Sequence, residues 1–270
     1  MRYELKNCPI CGSEDLVAID KKFIDLDTYV VYKCKACDEV IKATNPNNQA
    51  KVIKKAEKKD NLSAVEIYNN SIKSVVIVKS DIDEERKVCG TGFAISSNGY
   101  IITNAHVITN VSNENDEQLQ FAINENITIT NSEGNTFDCD LINVDLKRDL
   151  AILKTCEDVK FNVLCFGKYE EVKTGEKILA IGNSKGEGLS IIEGLVSDRE
   201  RKVGSTTKIL ISVPLNHGNS GGPLINYRNE IIGVTSSGKK DAVAMNYAVP
   251  VDDVLDFIAK TEQNEGVTIL

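Results

Sequence analysis

The chain has 270 residues, 41% of them apolar and 27% charged, with a formal net charge of −8. That length accommodates one domain of roughly 200 residues beside a small module, and the composition excludes a disordered chain. No apolar run approaches the ~20 residues that span a bilayer, the charged start MRYELKNCPICG lacks the apolar core of a signal peptide, and the acidic balance argues against a broad nucleic-acid-binding surface. A cytoplasmic location is expected.

Residues 1–44 hold two CxxC pairs, Cys8 with Cys11 and Cys34 with Cys37, together with the short β-type runs VAID and TYVVYK. Two such pairs offer four thiolates to one ion, and zinc so bound is tetrahedral and closed to water. One structural zinc ion is therefore expected here. The remaining four of the eight cysteines lie scattered in apolar segments and read as buried free thiols in a reducing compartment, rather than disulfide partners. Residues 45–61, where Pro and Asn give way to a run of lysines, read as a linker.

From residue 62 the second, larger domain begins. LSAVEIYNNSIKSVVIV reads as an amphipathic helix running into a strand, with Val65, Tyr68, Ile72 and Val75 on one face. A succession of short strands follows, from VVIVK and GTGFAIS through YIITNA, ITITN, FDCDLINV, LAILK, KILAIG, LSIIEGLVS, KILISV and EIIGVTS to AVAMNYAVP. Gly, Asn and Ser turns separate them, so the domain is mainly β, a barrel or sandwich. It closes with a helix that starts at Pro250 and Asp252 and buries Val254, Leu255 and Ile258.

Three segments carry chemistry. In HGNSGGPL, Ser220 sits among Gly218, Gly221 and Gly222, which allow a turn tight enough to expose its Oγ. That turn lets the Gly218 and Ser220 N–H groups, with Asn219 between them, face one developing oxyanion. Serine needs an imidazole to take its proton, and the chain has two histidines. His217 lies on the same turn and is expected to point away from Ser220. His106, in TNAHV, can approach across a cleft and is taken as the base. A carboxylate must orient that imidazole. Asp149 opens the apolar strand DLAILK, whereas Asp140 and Asp145 precede no such run and read as solvated loop charges.

GNSGGPL, TNAHV and RDLAILK resemble the serine, histidine and aspartate segments of trypsin-like peptidases, particularly the HtrA (Deg) family, over about residues 62–260. The resemblance implies two six-stranded antiparallel barrels, a triad of His106, Asp149 and Ser220, and polypeptide substrates. It also implies a specificity pocket floored by Pro214 and Leu215 and walled near Thr235–Ser237 and Ala244–Asn246, Met245 included. No acidic residue lies at that floor, so aliphatic P1 residues are expected over Lys or Arg. Thr235, Ser236 and Ser237 are expected to pair their backbone with an extended substrate.

The chain departs from the family in two respects. Secreted trypsin-like enzymes pair a cysteine after the catalytic histidine with one upstream, but Val107 stands here and leaves Cys89 unpaired. HtrA-type enzymes also carry a PDZ domain, which this chain is expected to lack. The N-terminal module resembles zinc ribbons, which dock proteins or nucleic acids, so a protein partner or activator is expected there and a nucleic-acid partner stays open. The competing reading is a protease fold that serves as a docking platform, with cleavage latent or absent.

Overall fold

Runs rich in Val, Ile and Thr, broken by Gly and Asn, fold as antiparallel strands because branched side chains pack well on a pleated surface. The computed structural model describes residues 16–24, 27–34, 40–43, 51–52, 61–112, 120–236 and 246–270. The chain divides into two units, Met1–Lys59 and Asp60–Leu270.

In the first unit, β1 (Leu16–Ile24), β2 (Asp27–Cys34), β3 (Val40–Ala43) and β4 (Lys51–Val52) form one antiparallel sheet in that order. Leu16 pairs with Cys34, and Lys33 pairs with Val40. Strand β4 lies inside the segment expected as a linker and pairs instead with β3. Of the expected zinc ligands, Cys8, Cys11 and Cys37 lie outside the described residues, and Cys34 ends β2.

The second unit is mainly β. Strands β5 (Val75–Asp81), β6 (Lys87–Ala94), β7 (Tyr100–Thr103), β10 (Glu125–Thr130), β11 (Thr136–Asp145) and β12 (Leu150–Thr155) form a closed barrel, while β8 (Thr109–Ser112) and β9 (Gln120–Ile123) form a separate hairpin. A seven-stranded sheet follows: β13 (Cys165–Phe166), β18 (Glu230–Ser236), β17 (Pro223–Asn226), β14 (Lys177–Gly182), β15 (Ser190–Val203), β16 (Thr206–Ile211) and β19 (Asn246–Pro250), with β18 also paired to β19.

Uniformly apolar strands arise where both faces are buried. On β12, Ala151 and Leu153 face the barrel interior with Val76, Val78 and Ile129, while Leu150 and Ile152 face a second cluster containing Leu179, Ile225, Val234 and Phe257. A third cluster of Ile178, Val196, Ile209, Ile211, Leu224 and Ala248 fills the seven-stranded sheet.

Helix α1 (Ala64–Ser71) starts at a capping box in which Ser63 and Glu66 each satisfy the other's backbone N–H. Its buried residues are Ile67 and Ser71, whereas Val65 is exposed, which corrects the expected apolar face. The helix has only two turns before a 3₁₀ turn at Ile72–Ser74, so a 3.6-residue period drawn from Val65 to Val75 crosses two changes of backbone geometry. The short helix α2 spans Ala105–Ile108. Helix α3 (Val251–Glu265) begins where expected and buries Val254, Phe257, Ile258 and Thr261, with Leu255 only half-buried.

Candidate active site

His106 lies on α2, directly after β7, rather than on the strand itself. Its Nδ1 stands 2.9 Å from both carboxylate oxygens of Asp149, and its backbone N–H donates to Asp149 Oδ1 at 3.1 Å. A proton on Nδ1, donated to that carboxylate, leaves Nε2 with a free lone pair facing outward. Asp145 is instead tied to Arg148 in its own turn, and Asp140 is exposed on β11, so neither competes for the imidazole.

Asp149 holds a left-handed backbone at φ +65°, uncommon for a residue with a side chain and tolerated best by Asn and Asp. Its carbonyl accepts from Asn104 Nδ2 at 2.7 Å, and its Oδ2 accepts from the Ser236 hydroxyl at 2.9 Å. Asn104, the residue at the N-cap of α2, thus ties the aspartate turn to the histidine helix.

Ser220 occupies a turn with two left-handed glycines, Gly218 at φ +95° and Gly221 at φ +88°. A Cβ on Gly218 would lie 2.0 Å from Asn183 O, and one on Gly221 would lie 2.1 Å from Thr91 O. Glycine is required at both by conformation and by space. The turn is pinned to β6 through Thr91, whose N–H donates to Ser220 O at 2.8 Å and whose hydroxyl donates to Gly218 O at 2.6 Å.

The directions of the turn's amides follow from its carbonyls, because a trans peptide points N–H and C=O oppositely. His217 O accepts from Lys185 N–H at 2.7 Å, which turns the Gly218 N–H to the other side. Asn219 O accepts from the Thr235 hydroxyl at 2.7 Å, which does the same for the Ser220 N–H. Asn219 N–H is used within the turn by Asn216 O at 3.1 Å. Among the described residues nothing engages the Gly218 or Ser220 N–H, and the Ser220 hydroxyl makes no hydrogen bond to His106. The exposed His217 side chain takes no part in the His106–Asp149 pair.

The expected specificity residues fare unevenly. Leu215 is half-buried against the cluster of Val213 and Leu224, Pro214 is exposed, and Asn246 Nδ2 donates to Val213 O at 2.7 Å. Thr235 does not offer its backbone to a substrate: its N–H donates to Gly222 O and its carbonyl accepts from Gly221 N–H, both at 2.8 Å. Those bonds hold the Ser220 turn against β18. Ser236 contributes its hydroxyl to Asp149, while Ser237, Ala244 and Met245 lie outside the described residues.

Cys89 is half-buried and accepts from Asn183 Nδ2 at 3.0 Å. Cys139 is buried, and desolvation, followed by neighbouring Cys156 and acidic side chains, pushes its thiol up to about 12. Cys156 and Cys165, expected in the core, are exposed: one just follows β12 and the other starts the two-residue strand at the sheet edge. Sequence reading missed Thr91, Asn104 and the Ser236 hydroxyl; only the place of Asn104, at the start of a helix, carried a local signal.

Residues 90–234 match the family model described as trypsin-like peptidase domain. The chain is 32% identical over 189 residues to a probable periplasmic serine endoprotease, DegP-like, of Halomonas elongata, covering 68% of this chain and 37% of the relative. It is 31% identical over 184 residues to serine protease HTRA1 of Xenopus laevis, covering 66% and 37%. The chain thus spans well under half the length of these curated relatives. A solved structure of the HtrA-type protease AlgW with a tripeptide superposes with a TM-score of 0.65 at 24% identity, covering 76% of this chain and 64% of that one. Its likeness bears on the fold alone.

Proposed function

The chain belongs to the trypsin-like peptidase family, and we propose that it is a serine endopeptidase that cleaves polypeptides through Ser220, His106 and Asp149. The observation that carries this reading is the Asp149 carboxylate held 2.9 Å from His106 Nδ1, in one unit with a glycine turn whose Gly218 and Ser220 N–H groups are unengaged by described residues. Ser220 Oγ attacks the scissile carbonyl as its proton passes to His106 Nε2, and Asp149 orients the resulting imidazolium. The oxyanion is held by the Gly218 and Ser220 N–H groups. Collapse returns the proton to the leaving amine and leaves an acyl ester on Ser220. A water molecule, deprotonated by His106, then hydrolyses that ester. Incubating the full chain with an unfolded protein substrate tests the proposal: cleavage is expected, and Ser220→Ala abolishes it. Equal cleavage by both proteins refutes it.

We read the pairings that run β18, β17, β14, β15, β16, β19 and back to β18 as the second barrel of the fold. Among the described residues, the segment that would line the specificity pocket carries Leu215 and the Asn246 amide and no carboxylate, which supports an aliphatic P1 preference. A peptide library cleaved mainly after Lys or Arg would contradict it. The free thiols of Cys89, Cys139, Cys156 and Cys165 support an intracellular, reducing location.

One structural zinc ion is proposed on Cys8, Cys11, Cys34 and Cys37. Its support is the strand register. In sequence Cys8 and Cys11 precede β1, whose first residue, Leu16, pairs with Cys34 at the end of β2. Such an ion would cross-link the module and take no part in peptide cleavage. One zinc per full-length chain is expected by elemental analysis; zinc-free folded protein refutes the assignment. A latent resting state, with the module as the docking point for an activator, is the second reading, favoured by the Ser220 hydroxyl standing without a bond to His106 among the described residues. Cleavage that starts only after an added peptide or protein partner marks it.

A further inference from the structure

Lys208 stands in β16 with only 8% of its surface exposed, on the opposite strand face from Ile209 and Ile211, which fill an apolar cluster. An apolar residue would fit such a position without the cost of desolvating an ammonium. The ammonium donates to the carbonyl of Arg148 at 2.7 Å, the residue immediately before Asp149. Burial pulls its pKa down, and Asp149, Asp253 and Asp145 oppose that shift.

That carbonyl is a controlling point. A trans peptide fixes the Asp149 N–H opposite to Arg148 O, so pinning the carbonyl sets the plane from which Asp149 enters its left-handed φ of +65°. A backbone in that region persists when its surroundings over-determine it. The other side of the turn is held independently. The Arg148 guanidinium pairs with Asp145 at 3.2 Å, with Asp253 of α3 at 3.6 Å and with Asp256 of α3, while Asn104 and Ser236 hold Asp149 itself. Strand β16 and helix α3 therefore grip the Arg148–Asp149 peptide from two directions.

We infer that Lys208 is a positioning residue for the catalytic carboxylate, acting through the Arg148 carbonyl to aim Asp149 at His106. The inference rests on the triad proposed above. Its test compares the full-length wild type with Lys208→Met, which keeps the stem and removes the charge and donors, and Lys208→Arg, which restores both. Lys208→Met is expected to lower kcat about tenfold or more with KM nearly unchanged, and Lys208→Arg to recover most of the loss. In parallel, the low-field proton resonance of His106 Nδ1–H bonded to Asp149 is expected to be lost or displaced in Lys208→Met and retained in Lys208→Arg. A Lys208→Met enzyme with wild-type kcat and an unchanged resonance overturns the inference, as does Lys208→Arg being impaired as severely as Lys208→Met. If Lys208→Met does not fold, Lys208→Gln takes its place with the same readouts. A wild type with no peptidase activity would count against the proposed function, while the resonance in the variants still decides whether Lys208 aims Asp149.

Discussion

Thr91→Val isolates the support of the serine turn from the reacting groups themselves. The Thr91 hydroxyl donates to Gly218 O at 2.6 Å and accepts from Asn183 N–H at 2.9 Å, and the residue is fully buried. Valine keeps the shape and removes both bonds, leaving a buried acceptor and a buried donor unpaired. At about 1–3 kcal/mol for each orphaned group, the loss is about 4 kcal/mol at mid-range. For a domain of this size that corresponds to a melting temperature lower by about 8–16 °C. The Gly218 carbonyl belongs to the same turn as the proposed oxyanion donors, so release of the turn also costs transition-state stabilisation. Removing such a donor outright costs about 10²–10³ in rate, and displacing it is expected to cost at least about tenfold. Differential scanning calorimetry and the rate of acylation by an activated ester read the two effects separately. A melting temperature and an acylation rate both equal to those of the wild type would refute the idea that this hydroxyl braces the turn.

Gly218→Ala forces a Cβ to within 2.0 Å of the Asn183 carbonyl at a φ of +95°, so the turn must move; acylation of Ser220 is expected to fall by about 10²-fold, and an unaltered rate contradicts the close approach. Ser236→Ala removes a hydrogen bond to the Asp149 carboxylate, and kcat/KM is expected to fall about tenfold, read from steady-state kinetics, with a loss of about 1–3 kcal/mol in stability. Cys139, with its thiol pushed from 9.0 up to about 12, stays neutral in the folded protein at pH 8. Its alkylation by iodoacetamide is expected only after unfolding, whereas exposed Cys156 and Cys165 remain open to the reagent in the native state. Because the unfolded thiol ionises first, its contribution to stability is full below pH 9 and is lost as pH rises towards 12.

The parts legible in the sequence were those in which local backbone chemistry and function coincide. GNSGGP announces its turn because Gly218 and Gly221 adopt backbone angles, and lie against neighbouring carbonyls, that a side chain forbids. DLAILK announces a doubly buried strand, and Asp149 at its start was legible by position. Thr91, Ser236 and Lys208 were not legible, because each meets the site through residues far away in sequence: Thr91 through Gly218, Ser236 through Asp149 and Lys208 through Arg148. Thr235 illustrates the reverse error, since a strand residue beside the serine turn reads as an open edge until its bonds to Gly221 and Gly222 are seen. The Val65 face failed because periodicity was carried through a 3₁₀ turn into a strand.

The most direct test of the whole account is to treat the full-length protein with a fluorophosphonate and map the adduct by peptide mass spectrometry. A single adduct on Ser220, absent from Ser220→Ala and strongly slowed in Asp149→Asn, is the predicted result. A folded protein that leaves Ser220 unmodified yet cleaves a polypeptide, or one labelled equally well after Ser220→Ala, would contradict it.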